Sequence, residues 1–228
     1  MRIHACFGVV AGKCRRRHRA HALVQIAEGQ RVLGADHVVE ARDDGIAIGS
    51  SDTVFGLIAN LKCSGKEALD RVKKRIDKPY LILISTESDL GKFVDPRKLL
   101  QIEKLASKCW PGPVTLICPA RSDLPDFMKG PDGTIALRMP AHEGLQQLLK
   151  SFDGLFSTSA NISGCPVPES IDTVDPEVLA QCSILVLDSP DVVEAKGLPS
   201  TILDCTGEEI KLVRQGVFPV EKLLGKMG

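Results

Sequence analysis

From residue 44 onward the chain alternates short β-branched apolar runs with capped stretches of helical periodicity, and this alternation constrains the fold more than any other feature. "GIAIG" (45–49), "YLILIS" (80–85), "VTLICPA" (114–120), "TIALRMP" (134–140), "LFSTS" (155–159), "SILVLD" (183–188), "STILDC" (200–205) and "EIKLVRQG" (209–216) each read as a strand. Between them lie helical signals. In "SGKEALDRVKKRI" (64–76), Ser64 and Glu67 have capping-box spacing, and Leu69, Val72 and Ile76 share one face. Asp95-Pro96 caps a helix striped by Leu99, Ile102, Ala106 and Cys109, and Asp175-Pro176 caps another. "EGLQQLLKSF" (143–152) and "PVEKLLGKM" (219–227) complete the helices. "STILDCTGEEIKLVRQG" reads as a hairpin turning at "TGEE", so the sheet contains an antiparallel pair. The expected fold is α/β, a twisted mixed sheet with packed helices.

The 228 residues suffice for one sizeable domain. Residues 1–44 read as an extension with a basic stretch, "CRRRHRAH", and residues 45–228 as the α/β domain. Cys6, Cys14, His18 and His21 have no C-x₂–₄-C spacing and fit no common zinc site. The eight cysteines are scattered, several inside apolar runs, as expected of reduced thiols in a cytoplasmic protein. No apolar run approaches the roughly 20 residues that span a bilayer, so no membrane association is expected.

The chemistry is expected in the loops that follow the strands. Arg138 is the most informative residue: alternation puts it on the opposite face from Leu137 and Met139, and a guanidinium that stays charged needs an anionic partner there. That partner is either a structural carboxylate or a small ligand carboxylate held bidentately. Lys73, Lys74 and Arg75 at a helix end are either a solvated basic face or, with Lys78 and Arg214, a set able to neutralise a triphosphate. "STSANISG" (157–164) is a hydroxyl-rich turn or a cradle for phosphate and ribose. Neither GxxxxGK[ST] nor GxGxxG is present. His142, just past Arg138, reads as a structural histidine.

Taken in order, "SSDTVFGL", "KKR…KP", "WPGPVTL", "TIALRMP", "TSANISG", "STILD" and "VRQG" resemble the motifs of the YrdC-type threonylcarbamoyl-AMP synthases, from Gly45 to Gly216. The resemblance implies a mixed sheet around a concave, basic site. It further implies an enzyme, a nucleotidyltransferase that makes threonylcarbamoyl-adenylate and pyrophosphate from L-threonine, bicarbonate and ATP for tRNA modification. Lys73, Arg75, Thr134, Ser159, Asn161 and Arg214 would then contact ATP, and Thr53, Arg138, Ser157 and Ser200 threonine. Lys73, Arg75 and Arg138 would be the catalytic set. Mg²⁺ would come with the ATP phosphates, near Asn161, rather than in a protein metal site. The implied partners are tRNA or double-stranded RNA on the basic concave surface, and the modification proteins that receive the intermediate. The opening motif has Ser50 and Ser51 in place of the family's proline and threonine, and Phe55 in place of its tyrosine.

Three other readings compete. An RNA-binding module without synthase activity is opposed by a net charge of zero and by a single Trp and a single Tyr. A carbamoyl-adenylate-forming relative would use another acceptor. An inactive paralogue would bind ligand without turnover.

Overall fold

The computed structural model describes residues 31–33, 45–75, 78–182, 184–186 and 197–224. Ten strands among these form one sheet. In chain order they are β1 (Arg31–Leu33), β2 (Ile46–Gly49), β3 (Gly56–Asn60), β4 (Leu81–Leu83), β5 (Val114–Pro119), β6 (Thr134–Arg138), β7 (Leu155–Ser159), β8 (Ile184–Val186), β9 (Thr201–Asp204) and β10 (Lys211–Arg214). Their order across the sheet is β1-β8-β2-β3-β7-β4-β6-β5-β9-β10. Four neighbouring pairs are parallel (β1·β8, β8·β2, β4·β6, β5·β9) and the other five antiparallel, so the sheet is mixed as expected. The hairpin read from "STILDCTGEEIKLVRQG" is β9–β10.

The helices are α1 (Cys63–Lys73), α2 (Leu90–Phe93), α3 (Pro96–Ala106), α4 (Glu143–Leu149), α5 (Pro176–Leu179) and α6 (Glu221–Leu224). Asp95 and Asp175 cap α3 and α5 as read, accepting from the amides of Arg97 and Glu177. Strand alternation divides the apolar side chains between two faces. Ile46 and Ile48, Leu57 and Ala59, Phe156, Ile82, Ile135 and Leu137, and Val114 and Leu116 pack with Leu69 and Val72 of α1 and Ile102 and Leu105 of α3. On the other face Ala47, Ile58, Leu83 and Leu155 meet Leu145 and Leu149 of α4, with Leu81, Leu148 and Phe152 packed against them. The first face is a continuous dry layer. The second is covered by one short helix, which leaves room for a cavity.

Three sequence expectations are revised or fall outside the described residues. β3, within and beyond "SSDTVFGL", is a central strand absent from the strands read above; Leu57, Ile58 and Ala59 are all buried, so no alternation reveals it. The Ser64–Glu67 capping box does not set the start of α1, which begins at Cys63 with Lys62 as N-cap and no side-chain cap. The reason is the immediate turn from β3: a Cβ on Gly65 would lie 2.3 Å from the Asn60 carbonyl oxygen, so the first helical turn rests on the strand end. Ile76, Leu187, Asp188 and the Cys6–His21 cluster lie outside the described residues, whereas Arg31–Leu33 of the extension pairs with β8 in the sheet.

Candidate active site

The uncovered part of the second face holds a cavity of about 550 Å³. It lies over the sheet rather than only beyond the strand ends. Ile58, Leu81, Leu83, Ala136, Ile117 and Ile202 form an apolar floor, and Leu145 and Leu148 of α4 a wall. At one end lie the 50–54 loop, Arg138, His142, Thr115, Ser200 and Arg214; at the other, Arg75, Tyr80 and the hydroxyls of Ser157 and Ser159. Such a site, mostly apolar with polar groups converging at its ends, suits a ligand of nucleotide size.

Arg138 sits at the end of β6, facing the cavity, and is 4% exposed. Its Nη1 donates to Thr53 Oγ1 at 2.9 Å and its Nη2 to Asp52 Oδ1. Asp52 Oδ2 accepts the Ala141 amide at 3.0 Å, so this carboxylate is tied to the segment that follows β6. The structural carboxylate considered for Arg138 is therefore present, and the fork still has unused donors: its Nε is buried and has no hydrogen-bond partner. Burial lowers the proton affinity of the Arg138 guanidinium, and Asp52 opposes that.

Arg214 projects from β10 over Ser200, donating to its carbonyl through Nε at 3.1 Å and Nη2 at 2.9 Å. Ser200 Oγ lies 2.8 Å from Thr115 Oγ1. Burial, and then the charge of Arg138, push the Arg214 proton affinity down, so two guanidiniums share this end of the cavity. This hairpin is held by backbone contact: a Cβ on Gly216 would lie 2.1 Å from the Pro199 carbonyl oxygen. At the far end the Arg75 guanidinium lies 4.4 Å from the Tyr80 ring centroid, and its Nε is also buried without a partner. Among the described residues neither Arg75 nor Arg214 has a carboxylate partner.

The structure brings Thr53, Arg75, Arg138, Ser157, Ser159, Ser200 and Arg214 into the cavity lining. It does not bring Lys73, Asn161 or Thr134 there. Lys73 is 2% exposed and donates to Ser159 O at 2.7 Å, to Asn161 Oδ1 at 2.8 Å and to Asn161 O. Burial, and then the Arg75 charge, lower its pKa to about 8. Lys73 follows Leu69 by four residues, on the buried stripe, and this spacing was readable from the sequence. Lys74 turns away in the left-handed region (φ 49°) to pair with Glu177, and Lys78 is exposed. Asp52, Thr115 and Tyr80 were missed. Asp52 could have been found by asking which neighbour neutralises Arg138, and Thr115 because it alone is polar between Val114 and Leu116.

The family model for Sua5, YciO and YrdC proteins, described as telomere recombination, matches residues 40–216. The chain belongs to this family. It is 33% identical over 188 residues to the threonylcarbamoyl-AMP synthase of Sodalis glossinidius, covering 80% of this chain and 95% of that protein. It is 32% identical over 184 residues to the threonylcarbamoyl-AMP synthase of Pyrococcus abyssi, covering 78% of this chain and 53% of that longer protein. The crystal structure of P. abyssi Sua5 complexed with L-threonine matches with a TM-score of 0.72 at 29% identity, over 86% of this chain and 61% of that one. Escherichia coli YciO shares the fold, with a TM-score of 0.66 at 21% identity over 79% of this chain and 87% of that one. The mixed α/β sheet expected from the sequence is the fold of these proteins. No described helix is long and apolar enough to cross a membrane.

Proposed function

We propose that this Sua5/YciO/YrdC enzyme is a threonylcarbamoyl-AMP synthase, a nucleotidyltransferase that makes threonylcarbamoyl-AMP and pyrophosphate from L-threonine, bicarbonate and ATP. The observation that carries the reading is the cavity. A buried guanidinium with a spare donor stands at one end, and at the other an arginine with no carboxylate partner among the described residues, across an apolar floor, in a fold shared with a threonine-complexed relative. In this reading Arg138 holds the α-carboxylate of threonine, with Thr53 and Ser200 beside it. The threonine amine adds to the carbon of bicarbonate with loss of water, giving a carbamate. A carbamate oxygen then attacks the α-phosphorus of ATP in line, and pyrophosphate leaves. Arg75 and Arg214 take phosphate oxygens, and the hydroxyls of Ser157 and Ser159 bind the nucleotide.

Lys73 serves this chemistry through Ser159 and Asn161, whose turn it holds, rather than by touching phosphate. Among the described residues no group of three or more His, Cys, Asp or Glu side chains could hold a metal. Asp52 is engaged by Arg138 and the Ala141 amide, and Asn161 Oδ1 by Lys73 and Ser159. Mg²⁺ carried by the nucleotide phosphates would supply charge neutralisation for the departing pyrophosphate. The product would pass to proteins that modify tRNA.

The test is pyrophosphate release from ATP with threonine or bicarbonate omitted in turn. Dependence on both is expected. Release that needs neither, or none at all, overturns the reading.

A further inference from the structure

Tyr80, the chain's one tyrosine, falls outside the motifs and has no part in the proposed reaction, yet it lines the far end of the cavity. An aromatic side chain in a cavity of nucleotide size is ordinarily a surface on which a base stacks. Here the ring is already engaged. The Arg75 guanidinium carbon lies over its face, 4.4 Å from the centroid, and Phe156 packs against it at 6.1 Å with the rings tilted by 58°. Its hydroxyl donates to Asp70 Oδ1 at 2.8 Å, and Asp70 Oδ2 accepts from Lys66 Nζ at 2.7 Å, one turn back on α1. The Asp70 carbonyl accepts the Arg75 amide at 3.2 Å. Asp70 thus anchors both the backbone of Arg75 and the ring under its side chain, while Lys66 matches its charge. Burial, and then the bond to Asp70, push the Tyr80 pKa up against the Arg75 charge, so the phenol stays a neutral donor.

What this arrangement avoids is an ion pair. Arg138, at the other end of the cavity, is held by the Asp52 carboxylate. Arg75 has no carboxylate partner among the described residues, and its Nε is buried without a hydrogen-bond partner. A carboxylate holding Arg75 would neutralise it and compete with an incoming anion. A ring face attracts the cation through its quadrupole and leaves the charge in place.

We propose that Tyr80 is a positioning residue for the phosphates of the nucleotide: its ring face holds the Arg75 guanidinium in the cavity with the whole of its charge left for phosphate oxygens. This rests on the reading of Arg75 as a phosphate contact, and it assigns the aromatic ring to the triphosphate rather than to the base.

Calorimetric titration with ATP and with inorganic tripolyphosphate, both without threonine, tests this. Tyr80→Leu removes the ring face and should weaken both ligands about fivefold, the loss of one cation–π contact. Tyr80→Phe keeps the face and should stay within about twofold of the wild type, while melting lower for want of the bond to Asp70. In Arg75→Leu, adding Tyr80→Leu should lose no further affinity. A loss for ATP but not for tripolyphosphate would make the ring a stacking surface for the base and overturn the proposal. An unchanged affinity in Tyr80→Leu, a Tyr80→Phe as weak as Tyr80→Leu, or losses that add in the double variant would overturn it too. A second readout leaves Tyr80 in place, so it does not depend on how well that variant folds. With the single tyrosine isotope-labelled, its ring signals should shift on titration with tripolyphosphate in the wild type and not in Arg75→Leu; signals that stay put in the wild type, or move equally in both, refute the platform. None of these measurements uses turnover. If pyrophosphate release proves independent of threonine, the synthase reading falls and the phosphate anchor is judged on tripolyphosphate alone.

Discussion

Replacing Asp52 tests whether the Arg138 pair serves stability, ligand binding or both. The two side chains are 5% and 11% exposed, so Asp52→Asn strands a buried guanidinium. Breaking such a pair costs about 3–5 kcal/mol. Thr53 still accepts from Nη1, and Asp52 has some access to water, so the lower end, about 3 kcal/mol, is the expected figure. At about 2–4 °C per kcal/mol for a chain of this size, calorimetry should record a fall in Tm of roughly 6–12 °C. The combination of Asp52→Leu with Arg138→Met removes both charges and fills the space with apolar atoms. Such replacements are neutral or stabilising by about 1–4 kcal/mol, so its Tm should return to or exceed that of the wild type. The same double variant should lose threonine-dependent pyrophosphate release, because the guanidinium that clamps the carboxylate is gone and Arg214, in this reading, is engaged with phosphate oxygens. A double variant that melts as low as Asp52→Asn would refute the stability argument. One that uses threonine with an unchanged KM would refute the clamp.

Gly216→Ala pushes a methyl group into the Pro199 carbonyl; a cost of about 1–3 kcal/mol and a weakened nucleotide affinity should follow, measured by melting and calorimetric titration. Arg75→Leu should raise the KM for ATP about tenfold, yet cost only about 1 kcal/mol of stability, the loss of its contact with Tyr80; an unchanged ATP KM would remove Arg75 from the site. Lys73 ionises near 8 in the fold against 10.5 when unfolded, so burying its ammonium penalises the folded state fully below pH 8. That penalty fades as pH rises toward 10.5, and wild type should therefore gain stability relative to Lys73→Met between pH 8 and 10. A Tm difference that does not vary over this range contradicts the lowered pKa.

The parts of the fold legible in the sequence were those written locally. Asp95 and Asp175 marked helix starts because a carboxylate before a first-turn proline has few other uses. Arg138 announced its face because it stood between two apolar residues in a strand. β3 escaped because it is buried on both sides, and a strand with two apolar faces carries no period. Its position between β2 and β7, like that of β8 between β1 and β2, depends on pairing across distant segments, which periodicity does not encode. The site was legible in its hydroxyls and arginines, whereas the direction of Lys73 was obscured by its charge. A lysine four residues after a core leucine points inward, and here the carbonyls at the end of β7 satisfy it. Asp52 was hidden in plain view, since the argument for Arg138 demanded an acid without saying which.

Ile135 and Leu137 face the dry layer, and Ala136 and Arg138, between and beyond them, face the cavity. Inserting or deleting a single residue in β6 would therefore exchange the two sets at once, forcing a charge between helices and presenting grease to the substrate. By this argument the strand should tolerate substitutions made one side at a time but not changes of length. Insertions and deletions should be borne instead by the connecting segments, whose side chains are not bound to a two-residue period.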